Sequence, residues 1–472
     1  MRRRVVSCAL TLGSILLMSG PARAASLSDQ LDRFLQDNAG LRAGEFDQSM
    51  HPFADTAVPV LQKLEVRGAD FPVTSTSPGF SFRYNPELGM FEPATASLGP
   101  VFVDRADTLG RGRLDVGATY LFARLTELQG GDLNTSSDTH DLANVFRNGT
   151  FSIKKHQNGL PFGEKFNLGA GLGVQICTTD KSKNCIVGEP LGSSHFYTDD
   201  FALEQHVLNL SATYGLTDRW DVNLLVPIVG TRLIVSGHRV LEIGVTAQST
   251  PLQVTLSRPL KVSVASLDVN HEGIGDVQLR TKYYIGQELG VKFAGLLALR
   301  PPTGNENDFQ GIGDFTVTPS LVMSREFGRN DFHLSLGTEV DTQDVSQSRA
   351  RYALGVTLQP LERAAVLFDF IGNSSFVDDQ FEFTTPVFQI SKSSGLPGFG
   401  GVPAIRAPSQ CTKTMCTQFG FIPRTDILDL AMGFKFLLVP GRAVAHLGVI
   451  KPINSDGLRA EVIPTGSVEV AF

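Results

Sequence analysis

Leu208-Asn209-Leu210-Ser211-Ala212-Thr213-Tyr214-Gly215-Leu216-Thr217-Asp218-Arg219-Trp220-Asp221-Val222-Asn223-Leu224-Leu225-Val226 is the stretch that decides the fold. Leu208, Leu210, Ala212 and Tyr214 alternate with Asn209, Ser211 and Thr213. Gly215 to Arg219 turns the chain, and Trp220, Val222, Leu224 and Val226 return opposite Asp221 and Asn223. A period of two puts one apolar face and one polar face on each strand. The same grammar recurs at Val277, Leu279, Thr281, Tyr283 and Ile285, set against Asp276, Gln278, Arg280 and Lys282. It also opens the segment at Leu114, Val116, Ala118, Tyr120 and Phe122.

Working outward, such spans run from Arg113 to Phe472 and number about fourteen, with twelve to sixteen as the range. The count includes Leu142–Ile153 and Glu164–Gln175, where alternation is faintest. Connections alternate in length. Gly215–Arg219, Gly286–Gly290, Arg325–Asn330, Gln359–Arg363 and Leu437–Arg442 are short, while Ile176–Ala202, Arg232–Gly273 and Gly372–Arg424 are long. Short turns at one end and long loops at the other mark an all-β transmembrane antiparallel barrel, since a soluble sandwich has no reason to sort its loops. Tyr214, Trp220, Tyr283, Phe293, Phe332, Phe436 and Phe472 lie beside the short turns or the terminus, where a membrane boundary would place aromatic rings.

The first residues supply the route. Arg2, Arg3 and Arg4 precede an apolar run from Val5 to Met18, and Ala22-Arg23-Ala24 has the small-x-small pattern of a cleavage site. Residues 1–24 therefore read as a signal peptide, 25–112 as an N-terminal extension and 113–472 as the barrel. The run is short for a membrane helix, which needs ~20 residues. In lipid, only helices and closed barrels satisfy every backbone group. The expected location is the cell outer membrane. The extension opens with a helical pattern at Leu27, Leu31, Phe34 and Leu35, then becomes Pro-punctuated. It reads either as a periplasmic arm or as a plug inside the barrel.

Removing the four arginines of residues 1–24 leaves 37 basic against 48 acidic residues, a balance of −11. Nucleic acid is excluded as a partner by that sign. Cys177, Cys185, Cys411 and Cys416 form two close pairs in polar segments, and in an exported chain local disulfides are the simplest reading. The spacing lacks the features of a zinc site, so no metal and no cofactor is expected.

Val468, Val470 and Phe472 alternate with Ser467, Glu469 and Ala471. A last strand ending on Phe resembles the assembly signal of outer-membrane barrels, which implies the barrel-assembly machinery as a partner, with outer-membrane lipid around the wall. Tyr214 to Val222 resembles a hairpin of the MetA-pathway phenol-degradation family of outer-membrane β-barrels. Gly273-Ile274-Gly275-Asp276-Val277, Gly311-Ile312-Gly313-Asp314-Phe315 and Arg300-Pro301-Pro302-Thr303-Gly304 are similar to that family too. The resemblance spans Phe201 to Ser324. The family stands near the long-chain fatty-acid and aromatic-hydrocarbon transporter barrels, which implies fourteen strands, an N-terminal plug and uptake of hydrophobic compounds.

Strand parity names the lumen-lining candidates: Asp276, Arg280, Lys282, Lys292, Arg300, Asp314, Glu339, Arg351 and Asp369, with Asp115, Asp221, Lys435, Lys451 and Glu469 of the same parity. Mixed signs read either as a polar wall for a permeant or as ion pairs bracing the wall. His333 and Ser335 share a face in the spacing of outer-membrane phospholipases. Gly169, Gly171 and Gly173 share a strand face, which suits a close backbone approach. The reading is a passive channel for small hydrophobic or aromatic molecules and no enzyme. The alternatives are an adhesive barrel acting through its long loops, and a lipid hydrolase.

Overall fold

The computed structural model describes residues 25–38, 71–76, 82–85, 90–93, 97–128, 131–132, 166–167, 174–177, 185–246, 255–377, 379–386, 389–391, 404–406, 415–422 and 425–472. The signal region, the span Leu142–Ile153, the glycines at 169–173 and Cys411 lie outside the described residues.

Helix α1 spans Leu27–Asn38. The wall consists of β1 (Leu114–Leu128), β2 (Cys185–Thr217), β3 (Trp220–Thr246), β4 (Thr255–Ile274), β5 (Gln278–Glu288), β6 (Val291–Arg300), β7 (Thr316–Phe327) and β8 (Asn330–Asp341). It continues with β9 (Arg349–Leu361), β10 (Ala364–Ser375), β11 (Asp426–Val439), β12 (Ala443–Pro452) and β13 (Ile463–Ala471). Every neighbouring pair is antiparallel, and β13 returns to β1 with Ser467 opposite Thr119 and Glu469 opposite Gly117. β4 and β5 share one place in the ring, both pairing with β3 in series. The closed ring therefore has twelve places.

The sequence-based count of fourteen falls to twelve because β1 pairs directly with β2, Val116 facing Ala212. That contact leaves no room for two intervening strands. Within the span Glu164–Gln175, Phe166–Asn167 pairs with an outlying part of β2 instead. The break between β4 and β5 falls at residues 275–277, beside Pro227 of β3. Proline has no N–H to give the ladder, and its carbonyl takes the amide of Gly275 at 2.9 Å.

One end of the ring carries tight turns. Leu289 (φ 50°) and Gly290 (φ 79°) join β5 to β6, both in the left-handed region that a two-residue hairpin turn requires. At the other end, β2 has 33 residues, β3 27 and β4 20, where ~9–11 cross a membrane. The stretches expected as loops, Ile176–Ala202 and Arg232–Gly273, are thus largely strand. Cross-strand pairing gives the backbone groups between β2 and β3 and between β3 and β4 partners there, which an open loop does not. Cys177 and Cys185 are register partners in this region.

Outward positions form an apolar band. Trp220, Leu224, Ile228, Leu279, Tyr283, Leu321, Leu336 and Leu354 are all exposed. Tyr214, Trp220, Tyr283, Phe332, Phe436 and Phe472 are exposed beside the turns. At the far boundary stands a charged group on adjacent strands. Arg124 lies 3.7 Å from Glu204, and Arg232 lies 3.4 Å from Glu204 and 2.7 Å from Asp268. From Trp220 to Arg232, at about 3.3 Å per residue and a tilt of about 40°, the band is roughly 30 Å tall. That is the thickness of a bilayer's hydrocarbon core. Among the described residues no helix is long and apolar enough to cross a membrane.

Candidate functional site

The interior of the ring is divided into two zones of opposite chemistry. In the zone near the tight turns the inward side chains are polar, and residues 97–112 run among them. Asp369 of β10 accepts the amides of Val101 (3.2 Å) and Phe102 (2.9 Å). Gln359 of β9 accepts that of Leu98, Ser324 of β7 that of Ala106, and Asp221 of β3 that of Leu109. Lysines take the carbonyls. Lys282 donates to Arg105 (3.1 Å) and Asp107 (2.6 Å), and Lys435 to Pro100 (3.1 Å). Residues 71–76 are held likewise, Arg280 donating to the carbonyl of Thr74 and Thr213 to that of Thr76. A chain without regular structure cannot pair its own backbone groups, so the wall supplies the partners.

Many of the parity-derived charges are therefore occupied by the chain's own N-terminal segment. Lys292 pairs with Asp107 at 2.7 Å and with Glu326 at 2.6 Å. Glu339 is shared by Arg349 and Arg351, each at 2.6 Å. Asp276 sits in the strand break and gathers the amides of Gly304 (2.9 Å) and Ile312 (2.8 Å) together with Arg300 (3.1 Å). It draws the β6–β7 connection inward. Asp314 lies just before β7 beside Asp341, and burial together with the Asp341 charge pushes its carboxyl up to about 6. Lys435 reaches Glu469 at 3.6 Å. Lys451 corrects the parity reading: it faces outward and donates to the carbonyl of Glu461. On β12 the even positions, Val444, His446 and Ile450, point inward.

His333 corrects the hydrolase reading. The β7–β8 register sets it opposite Ser324, which it meets at 2.8 Å, and its other ring nitrogen lies 3.3 Å from Asp331. Asp331 in turn lies 3.5 Å from Arg105. Ser324, His333 and Asp331 are each at most 2 % exposed. The Ser324 oxygen already accepts the amide of Ala106. The trio anchors the inner segment and leaves an ester no approach. Ser335 instead lines a cavity of about 120 Å³ with Arg280, Glu339 and Phe102.

In the outer zone the inward face turns apolar. Leu121 and Leu125 of β1, Leu203 and Val207 of β2, and Val229, Leu233 and Val235 of β3 form one buried cluster. Leu27, Leu31 and Phe34 of helix α1 complete it. Ser26 caps the helix by accepting the amide of Asp29. The amide of Leu27 goes to Asp308 at 2.9 Å, on the short 3-10 turn Glu306–Asp308 of the β6–β7 connection. Phe309 follows with φ 59°, an uncommon conformation for a residue with a side chain, and its ring joins the same cluster. Alternation alone missed this zone, because strands apolar on both faces lose the period of two. Leu224-Leu225-Val226 is the visible trace of it.

Among the described residues no group of three or more His, Cys, Asp or Glu could hold a metal ion. No protein-family model and no curated protein matches the chain. Solved structures do. An outer-membrane channel from Pseudomonas putida F1 aligns at TM-score 0.39 and 10 % identity, over 78 % of this chain and 98 % of its own. A FadL homologue of Pseudomonas aeruginosa gives 0.27 and 8 %, over 76 % and 89 %. The P. putida toluene transporter TodX gives 0.26 and 9 %, over 76 % and 89 %. Likeness at this level carries no function with it.

Proposed function

We propose that the chain is an outer-membrane channel for passive passage of small hydrophobic molecules. The apolar inward zone carries this reading. A barrel interior filled with water is lined by polar residues; an interior lined by Leu121, Leu203, Val229 and Leu233 costs free energy unless something apolar occupies it. Helix α1 does so here, with three apolar side chains on a single amphipathic face. A hydrophobic permeant fits the same lining. The outward band supports outer-membrane lipid as the surroundings.

The test is entry of a radiolabelled monoaromatic hydrocarbon into cells carrying the protein in their outer membrane. Entry should be several-fold faster than in cells lacking it, and Val229→Asp should remove most of the gain. Equal entry with and without correctly inserted protein would sink the reading.

A further inference from the structure

A groove of about 870 Å³ is cut into the outer face of the wall, across β3, β5, β6, β7 and β8. It follows one register row. Trp220 pairs with Tyr283, Tyr283 with Gly295, Gly295 with Leu321, and Leu321 with Leu336. The four large side chains of this row are all exposed. Gly295 interrupts them: a Cβ there would meet nothing within 4 Å. Pro319 and Gly337 line the groove as well, one with a compact ring and one with no side chain.

The row is oblique to the membrane. Trp220 opens β3 beside the tight turns, whereas Leu336 lies well inside β8. Four strand spacings of about 4.8 Å make the row roughly 19 Å long, and at a strand tilt of about 40° it rises roughly 12 Å. One leaflet of the hydrocarbon core is ~15 Å deep. The groove therefore starts at the aromatic belt and ends short of the midplane, within a single leaflet. The indole N–H of Trp220 donates to Thr281 at 2.6 Å, which fixes the ring at the mouth and satisfies its polar atom. Arg219, exposed in the turn before it, stands at headgroup level; Asp218 accepts the amide of Arg111 at 3.2 Å. In lipid there is no hydrophobic gain between apolar surfaces, so a groove retains what it contacts on several sides at once. A second barrel would meet it with a convex wall that bridges the notch, whereas one hydrocarbon chain enters it.

We propose that this groove is a phospholipid site. It holds one acyl chain of the leaflet at the turn end, with the headgroup beside Trp220 at the level of Arg219. Its volume lies in the ~300–1,000 Å³ range of small-molecule sites, and its lining has their composition, mostly apolar with a few polar groups. The site stands on the outer face and does not depend on the channel reading.

Trp220 is the one tryptophan of the chain, so indole fluorescence reports on this mouth alone. The purified protein in detergent micelles is titrated with phosphatidylglycerol brominated on its acyl chains, which quenches an indole on contact. Quenching should saturate at one lipid per chain, and native mass spectrometry should count one retained phospholipid. Gly295→Phe sets a ring in the groove. It should raise the lipid needed for half-quenching at least tenfold and abolish the retained lipid. Leu447→Phe, at an exposed position on the outer face of β12, should change neither. Should Gly295→Phe fail to fold, Gly295→Leu carries the same two expectations. Quenching that climbs without saturating, or a Gly295→Phe protein that keeps its lipid, overturns the site. A lipid-free dimer that Gly295→Phe disperses would overturn it too, by giving the groove to a second copy of the chain.

Discussion

Two copies of Gly-Ile-Gly-Asp, at residues 273–276 and 311–314, end in aspartates with different fates. Asp276 is surrounded by donors: the amides of Gly304 and Ile312 and the Arg300 guanidinium. Asp314 is surrounded by acids, with Asp341 nearest and Glu306 and Asp344 behind it. Parity put both in the interior and could not separate them, because the difference lies in the path of the β6–β7 connection. Asp314 has a testable consequence. Its folded-state value of about 6 stands above the ordinary 3.8. Between those values the folded chain holds a proton that the unfolded chain has lost, so stability declines as pH rises through that window. Above about 6 the loss is complete. Asp314→Asn removes the charge that is repelled. Thermal unfolding should show the variant gaining on wild type at pH 7.5, gaining less at pH 4.5 and matching it below 3.8, by a modest amount since the group is only partly buried. A gain confined to low pH would show that the Asp341 interaction has the opposite sign.

Elements were legible where alternation was clean and hidden where it was not. The hairpin from Leu208 to Val226 has the parity read from it: Trp220 and Leu224 outside, Asp221 and Asn223 inside. β12 reads Ala-Val-Ala-His-Leu-Gly-Val-Ile-Lys-Pro, apolar on both faces, and nothing in that string fixes which set turns inward. Lys451 was misplaced for this reason. Polar inward positions were legible, whereas the inner segment that they hold has no periodicity to announce it. Helix α1 is the element whose role can be isolated. It buries Leu27, Leu31 and Phe34 in the apolar zone, and each such side chain contributes about 1.5–3 kcal/mol. Leu31→Asp exchanges that gain for an unpaired carboxylate. The helix should leave its seat, and hydrocarbon entry into cells should rise several-fold, opposite in sign to Val229→Asp. Entry that falls or stays level would mean that the helix does not stand where a permeant would.

The whole molecule is positioned by two belts, aromatic at the turns and charged at Arg124, Glu204, Arg232 and Asp268. Length sorting of connections revealed the turn end of the sequence. The charged belt was not foreseen, because β3 and β4 continue past it without a break and the long stretches read as loops. Together the belts define where lipid begins and ends, and β3 offers a ruler across it. Trp220, Val222, Leu224, Val226 and Ile228 all face outward in sequence before Arg232 is reached. Arginine on the lipid face of a barrel costs ~2–4 kcal/mol at the bilayer midplane and close to nothing at the interfaces. A series placing arginine singly at these positions, unfolded by urea in lipid vesicles, should therefore lose most stability at Val226 and nearly as much at Leu224 and Ile228, which flank it equally. The loss should be smaller at Val222 and least at Trp220, apart from the packing of the indole, whose N–H bonds Thr281 at 2.6 Å. A flat profile along β3 would mean that this face does not cross lipid. A profile peaking at Ile228 would shift the bilayer toward Arg232 and place the charged group inside it, an arrangement that the exposure of Arg232 and Asp268 argues against.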